Sequence, residues 1–242
     1  MKNTKLTILG LYVDDLLIVS RDAKHADQIM IKLHERFDVK DLGIASKCLG
    51  LHVEQLGGGI FLHQQSNIAN LLSKTGVEDC KAVKTPMMTR CSSLANSDDA
   101  PFFDTQLMRE TIGSLRWISN CTRPDITASV NYLARFVTRP TLRHWRAVKH
   151  LLRYLKGTST TGLFFQYSHQ ANSALHPVMY SDSDWAGGQH DAMSTSGEVL
   201  ILNGSSIAGY SKKQTTVALS TAEAEYIAGG TAATAFGFSN TW

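Results

Sequence analysis

Two adjacent carboxylates, Asp14 and Asp15, are the first residues of this chain with chemistry of their own. They end the tetrapeptide Tyr12-Val13-Asp14-Asp15, between the apolar runs Leu6 to Leu11 and Leu16 to Val19. That pattern predicts a strand, an acidic turn and a second strand, with the apolar flanks held on a core and the acids at the tip. Paired carboxylates repel each other and lose hydration unless a cation shares the site. Mg²⁺ is the usual solution, because it takes carboxylate and phosphate oxygens together. Metal ions beside phosphates are the machinery of nucleotidyl transfer. Taken alone, the tetrapeptide equally fits a solvent-facing Asp-Asp turn.

A basic constellation lies further along. Arg139, Arg143, Arg146, His150 and Arg153 recur at offsets of four, three, four and three, and Lys149 and Lys156 fall in the same stretch. Leu142, Trp145, Val148, Leu152 and Leu155 form a second stripe, so one helix is expected to present an apolar face and a basic one. Pro140 is expected in its opening turn and Gly157 at its end. No Asp or Glu occurs from Ile126 to Ser181. Such a stripe suits a phosphate backbone; a solvated positive face is the other reading.

The elements that position these groups follow from periodicity. After Ser20-Arg21-Asp22, the residues Ala26, Ile29 or Met30, Leu33 and Phe37 mark a packing helix. Leu49 to Val53 and Ile60 to Leu62 read as strands around Gly57-Gly58-Gly59, and Gln64 to Ser73 as a short helix with Ile68, Leu71 and Leu72 inward. The glycine triplet lacks the Lys-Ser or Lys-Thr of a phosphate loop. A polar stretch without periodicity, Lys84 to Pro101, is the best boundary. Beyond it come helices carrying Leu107, Thr111, Leu115 and Ile118, then Ile126, Val130, Leu133 and Val137, with Pro124 in a first turn. From Leu163 the character turns to β, and Asn203-Gly204 favours a hairpin. Ser220 or Thr221 with Glu223 resembles a capping box.

The 242 residues allow one large domain or two small ones, and a net charge of +3 excludes neither acidic nor neutral partners. Cys48, Cys80, Cys91 and Cys121 have no zinc-type spacing and no disulfide-scaffold density. No run has membrane-spanning length, and Met1 to Lys5 is not followed by a signal-peptide pattern.

Leu11-Tyr12-Val13-Asp14-Asp15-Leu16-Leu17-Ile18-Val19 resembles the polymerase of Ty1/copia-type retrotransposons. The resemblance continues through Phe37 to Gly43, Leu49 to Val53, Gln64 to Leu72 and Thr85-Pro86-Met87. Arg109 to Leu115, Thr122-Arg123-Pro124-Asp125-Ile126, His144-Trp145 and Leu152 to Thr158 extend it, with Met108 where the family usually has an aromatic. Tyr180-Ser181-Asp182-Ser183-Asp184-Trp185-Ala186-Gly187, Ser194 to Gly197, Ser211 to Gln214 and Ala218 to Ala228 resemble its ribonuclease H. The tail Thr231 to Phe238 departs from that pattern.

The implied fold is α+β. A partial reverse transcriptase palm and thumb would cover 1–100, a helical connection 101–160, and the N-terminal part of an incomplete ribonuclease H-like α/β domain 161–242. The implied metal-binding and catalytic residues are Asp14 and Asp15, then Asp182 and Glu225, with Mg²⁺ as cofactor. Asp184 is a weaker rival to Asp182. Glu223 and Glu225 point in nearly opposite directions on a helix, so Glu223 suits the cap.

The family activities are RNA-directed DNA polymerisation and hydrolysis of RNA in RNA–DNA hybrids. Neither is expected here, because the family's third polymerase aspartate and its later nuclease carboxylates have no counterpart. None of the first eleven residues is acidic, and no acid follows Glu225. The expectation is a Pol polyprotein fragment, from a decayed element or a longer frame. Its partners would be an RNA–DNA hybrid or another nucleic-acid backbone and the rest of the polyprotein, in virus-like particles of the cytoplasm or in the nucleus, without a membrane. The alternative is a non-catalytic nucleic-acid-binding protein using Arg139, Arg143, Arg146, Lys149, Arg153 and Lys156.

Overall fold

Tyr12 pairs with Asp15 across the first turn, joining β1 (Thr7–Tyr12) to β2 (Asp15–Ser20) as an antiparallel hairpin. α1 (Ala23–His34) follows, capped by Asp22, whose carboxylate accepts the Lys24 amide at 3.0 Å. The computed structural model describes residues 6–88, 94, 99–167, 176–188, 191–235 and 237. The polar boundary stretch is therefore described only in part, and Met1 to Lys5, Cys91 and most of the tail after Ala235 lie outside the described residues.

The expected seating of this hairpin on a core does not occur among the described residues. Ile8, Leu9, Leu11, Tyr12 and Val19 are each more than half exposed, and α1 buries none of its residues. α1 packs chiefly against β2, and two strands with one helix cannot cover both faces of the hairpin.

The second sheet holds β4 (Leu51–Leu56) and β5 (Gly59–His63), with short β3 (Lys47–Cys48) on one edge. Its other edge is β6 (Leu163–Gln166), far along the chain and antiparallel to β5. Leu163-Phe164-Phe165 thus joins the N-terminal sheet rather than opening the C-terminal one. Gly59 and Gly162 make the approach possible, since a side chain at either would strike the carbonyl of Phe165 or Leu62.

The main core lies between α2 (Gln65–Lys74), α3 (Thr105–Cys121), α4 (Thr127–Ala134) and α5 (Leu142–Gly157). Ile68, Leu115, Val130, Val148 and Leu152 meet there at zero exposure, on the expected stripes, and Met108 joins them where Leu107 was expected, Leu107 being only partly buried. Trp145 stacks on Phe102 at 4.8 Å and is a core anchor. Arg139 and Pro140 precede α5 instead of opening it; its cap is Thr141, whose amide donates to His144 Nδ1 at 2.9 Å.

The third sheet runs β7 (Pro177–Ser183), β8 (Thr195–Leu202), β9 (Ser205–Lys213), all antiparallel. Asn203 and Gly204 both have positive φ, 49° and 85°, which is the mirror-image turn that an Asn-Gly pair favours. α6 (Thr221–Ala235) covers one face, burying Ala224, Ala228 and Ala232. The opposite face meets the helical bundle: Asn131 Nδ2 donates to the Ser211 carbonyl at 2.9 Å, and Pro124 lies over Gly209.

Arg123, fully buried, joins these parts. Its Nε and Nη2 donate to the two Asp125 oxygens at 2.9 and 2.8 Å, and Nη1 and Nη2 reach the Thr158 carbonyl and hydroxyl at 2.8 and 2.7 Å. Tyr154 adds a hydroxyl donor to Asp125 at 2.8 Å. Burial alone would raise the Asp125 carboxyl, but the Arg123 hydrogen bonds and charge, with Tyr154, hold it below the usual carboxylate range. Asp125→Asn therefore strands a buried guanidinium and is expected to cost about 3–5 kcal/mol. Arg123→Met leaves an acid that is part-exposed and able to rehydrate, so it should cost less, roughly 2–3 kcal/mol. Urea denaturation of both variants checks the order; equal or inverted losses would show that the pair is not the junction described.

Candidate functional site

β7 and α6 place the two C-terminal acids at neighbouring positions of one strand–helix junction. Glu225 Oε1 accepts the Ser183 amide at 3.3 Å, so its carboxylate lies beside the strand position that follows Asp182. Ser181 faces α6, because a side chain at Gly229 would lie 3.9 Å from its hydroxyl. Alternation then puts Asp182 on the other face, paired with Gly197, while Glu225 stands on the helix side. Both acids are exposed.

Their sequence rivals have other work. Asp184 Oδ1 accepts the Thr195 amide, and the Asp184 amide donates to the Thr195 carbonyl at 3.1 Å, closing the loop between β7 and β8. Glu223 Oε2 accepts the Leu219 amide at 2.7 Å, and its own amide donates to Ser220 Oγ at 3.2 Å, so Glu223 caps α6. Trp185 Nε1 donates to the Ala218 carbonyl at 3.1 Å and ties that loop to the start of α6. Beneath α6 lies a carboxyl that the sequence reading missed. Glu198 is buried with Oε1 unpartnered, and burial pushes its pKa up against the nearby Lys212 charge.

Asp14 and Asp15 remain exposed at the tip of the first hairpin. Val13 beside them has φ of 50°, a left-handed conformation that a β-branched residue rarely adopts. Strain of this kind clusters at functional turns. Among the described residues no three His, Cys, Asp or Glu side chains group to hold a metal, here or at β7. Asp182 and Glu225 supply hard oxygen donors of the kind Mg²⁺ takes while keeping several waters. A two-ion hydrolytic centre needs a larger set than these two, so the residues present do not fit one.

The basic stretch is less open than its sequence implies. Arg143 Nε donates to Asp99 Oδ2 at 3.1 Å, and Arg146 lies 3.8 Å from the same oxygen. Arg153, Lys156 and His150 reach the carbonyls of Lys81, Cys80 and Thr85 at 2.6, 2.7 and 3.0 Å. Lys149 lies over the Trp145 ring at 5.9 Å. The basic face thus clasps the segment between α2 and α3, whose carbonyls and Asp99 come from far upstream. His144 is buried inside this clasp, stacked on Phe136 at 4.2 Å, with Nε2 donating to the Leu94 carbonyl at 3.0 Å.

A groove of about 620 Å³ between α2 and α3 went unread in the sequence. Asn67, Asn70, Lys74, Gly113, Ser114 and Trp117 line it, and Trp117 is about half exposed (47%). The signal was available: Trp117 falls off the apolar stripe of its own helix, where a core residue would not.

A mixed α/β arrangement of antiparallel sheets and helices, with acids placed at a strand turn and a strand–helix junction, is consistent with a palm, thumb and ribonuclease H-like architecture. Residues 1–89 match the family model described as reverse transcriptase (RNA-dependent DNA polymerase). The retrovirus-related Pol polyprotein from transposon TNT 1-94 of Nicotiana tabacum is 36% identical over 91% of this chain and 17% of its own length. An uncharacterized mitochondrial protein of Arabidopsis thaliana is 34% identical over 90% of this chain and 88% of its own. A putative transposon Ty5-1 protein of Saccharomyces cerevisiae is 32% identical over 90% and 70%. No solved structure matches. The chain belongs to the Ty1/copia-type retrotransposon Pol family, and it spans less than a fifth of the full polyproteins it matches.

Two outcomes follow from this geometry. Burial holds the His144 pKa below its ordinary 6.5, so the folded protein favours the neutral ring. Stability is then fully present above about pH 6.5 and is lost as pH falls toward the depressed folded value. Thermal unfolding between pH 8 and 5 should show this slope, and His144→Gln should flatten it. Separately, Mn²⁺ relaxation of water protons should report weak binding that Asp182→Asn or Glu225→Gln removes and Glu223→Gln retains. Retention in all three variants would place the ion elsewhere.

Proposed function

We propose that this chain is the part of a Ty1/copia-type Pol polyprotein that carries the polymerase metal turn (1–100), a helical connection (101–160) and the N-terminal part of a ribonuclease H-like domain (161–242) whose first strand, β6, is lent to the N-terminal sheet, and that by itself it holds nucleic acid without copying or cutting it. The observation that carries this reading is that Glu225 is bonded to the Ser183 amide, next along the strand from Asp182, while no three metal-ligating side chains group together among the described residues. Mg²⁺, when bound, would supply water activation and charge stabilisation at the leaving oxygen. The chain contributes the two carboxylates, with Glu225 oriented by the Ser183 amide. Asp14 and Asp15 offer the same kind of oxygens at a strained turn, with no third ligand beside them among the described residues.

Substrate contact in this reading falls to two surfaces. The α2–α3 groove offers Trp117 as a stacking face for a base and the amides of Asn67 and Asn70 for base edges. Exposed Arg109 and Arg116 on α3 flank it for phosphates. The second reading keeps the basic residues 139–156 as a non-catalytic nucleic-acid surface. Arg139, Arg146 and Lys149, the exposed ones among them, are its best remaining contacts.

Cleavage and binding of a labelled RNA–DNA hybrid by the purified chain test both. Salt-sensitive binding without cleavage in Mg²⁺ or Mn²⁺ is the expected result, with Trp117→Ala weakening binding by roughly 1–3 kcal/mol. Cleavage that Asp182→Asn abolishes would overturn the binding-only part. Weakening by Arg146→Gln, with Trp117→Ala neutral, would favour the basic face over the groove.

A further inference from the structure

We infer that Arg135 and Lys213 form a phosphate-holding row on the Asp182 face of the C-terminal sheet, taking backbone phosphates of the strand whose neighbouring phosphodiester lies at Asp182 and Glu225. This rests on the nucleic-acid reading above. The argument begins with register. Asp182 pairs with Gly197, and Thr195 lies two residues along β8, so the two share a face. Lys213 pairs with Thr195 and joins that face. Arg135, the residue after α4, brings Nη2 to within 3.4 Å of Thr195 Oγ1 from the same side. α6 occupies the opposite face, so these three groups and Asp182 border one open surface.

Spacing fits a nucleic-acid strand. One strand separation and two residues of β-rise put the Thr195 backbone roughly 8 Å from that of Asp182. That distance is of the order of one step between successive phosphates of a strand, whose axial rise alone is roughly 3.4 Å. The cations are also available. Arg135 is exposed; it touches Thr195 at 3.4 Å and the Tyr132 ring at 5.2 Å and shares the field of Asp191 with Lys213, which leaves part of its planar fork for a phosphate. Lys213 pairs with Asp191, an exposed acid at the surface, where exchange for a phosphate costs little. Asp184, the nearest other acid, is engaged by the Thr195 amide.

Placement is rigid rather than accidental. Asn131 bonds the Ser211 carbonyl and Pro124 packs over Gly209, so both ends of the short helical segment before Arg135 are fixed to β9. A cation held this way serves a fixed phosphate position better than one on a mobile loop.

The test is anisotropy of a labelled RNA–DNA hybrid across a KCl series at constant Mg²⁺. Arg135→Gln and Lys213→Gln should each reduce the slope of log K against log salt by about 0.7–0.9, one phosphate apiece, and the double variant by about twice that. Arg135→Lys should restore the slope, since it restores the charge. Thr195→Val tests a merely structural part: it should lower the thermal midpoint and leave the slope unchanged. Unchanged slopes in the Gln variants, with wild type binding steeply, would overturn the row and leave the nucleic-acid reading standing. Wild type without salt-sensitive binding would overturn both.

Discussion

A guanidinium with no exposed surface is the constraint around which this chain is arranged. Burying a charge is tolerable only when every donor is used and a counter-charge is present. Arg123 has four hydrogen bonds and a counter-charge from groups in different parts of the fold: Asp125 two residues on, and Thr158 just past the end of α5. Its neighbours extend the junction. Thr122 donates to buried Gln64 at 2.8 Å, which reaches the start of α2, and Pro124 packs over Gly209 of β9. Five consecutive residues, Thr122 to Ile126, therefore touch the first four-stranded sheet's helix, the bundle and the third sheet. The motif that marked a family resemblance is, physically, the point where the parts are pinned.

Periodic features were legible because they depend on neighbours in sequence. The helical stripes ending in Leu115, Ile118, Leu152 and Leu155, the Asn203-Gly204 turn and the Glu223 cap needed only local spacing. What sequence could not supply was pairing across distance. β6 reads as the opening of a C-terminal unit, yet it completes a sheet begun about a hundred residues earlier, because two glycines allow the backbones to meet. The first hairpin failed in the opposite sense. Its alternating apolar residues promised a core, and the described residues place no second layer over them. Val13 was legible as part of an acidic turn but not as strained, since φ is not a property of composition.

Charge balance depends on distance in the same way. A stripe of arginines with no acid in its own region looked unneutralised, but Asp99 and the carbonyls of Cys80, Lys81 and Thr85 arrive from upstream and take most of it. Carbonyls carry no formal charge and vanish from any count of acids and bases. A neutral histidine then sits among these cations without adding repulsion, because its Nδ1 accepts the Thr141 amide and only Nε2 donates. The basic helix is therefore as much a clasp as a surface.

The two faces of the third sheet divide the remaining chemistry. On the α6 side lie small residues and a buried, proton-favouring Glu198, so this face is suited to packing. Asp182 belongs to the opposite side, which the bundle meets at β9, and Glu225 holds the Ser183 amide at the edge strand. Had both acids pointed under α6, they would have faced the same desolvation that raises Glu198 and would have tended to hold protons. Set at the edge and exposed, they remain available to a cation and to solvent. The junction at Arg123 fixes which face stays open, because it fixes where α4 begins and hence which part of β9 the bundle covers. In this chain the position of a buried ion pair just before α4 decides how much of the third sheet stays uncovered.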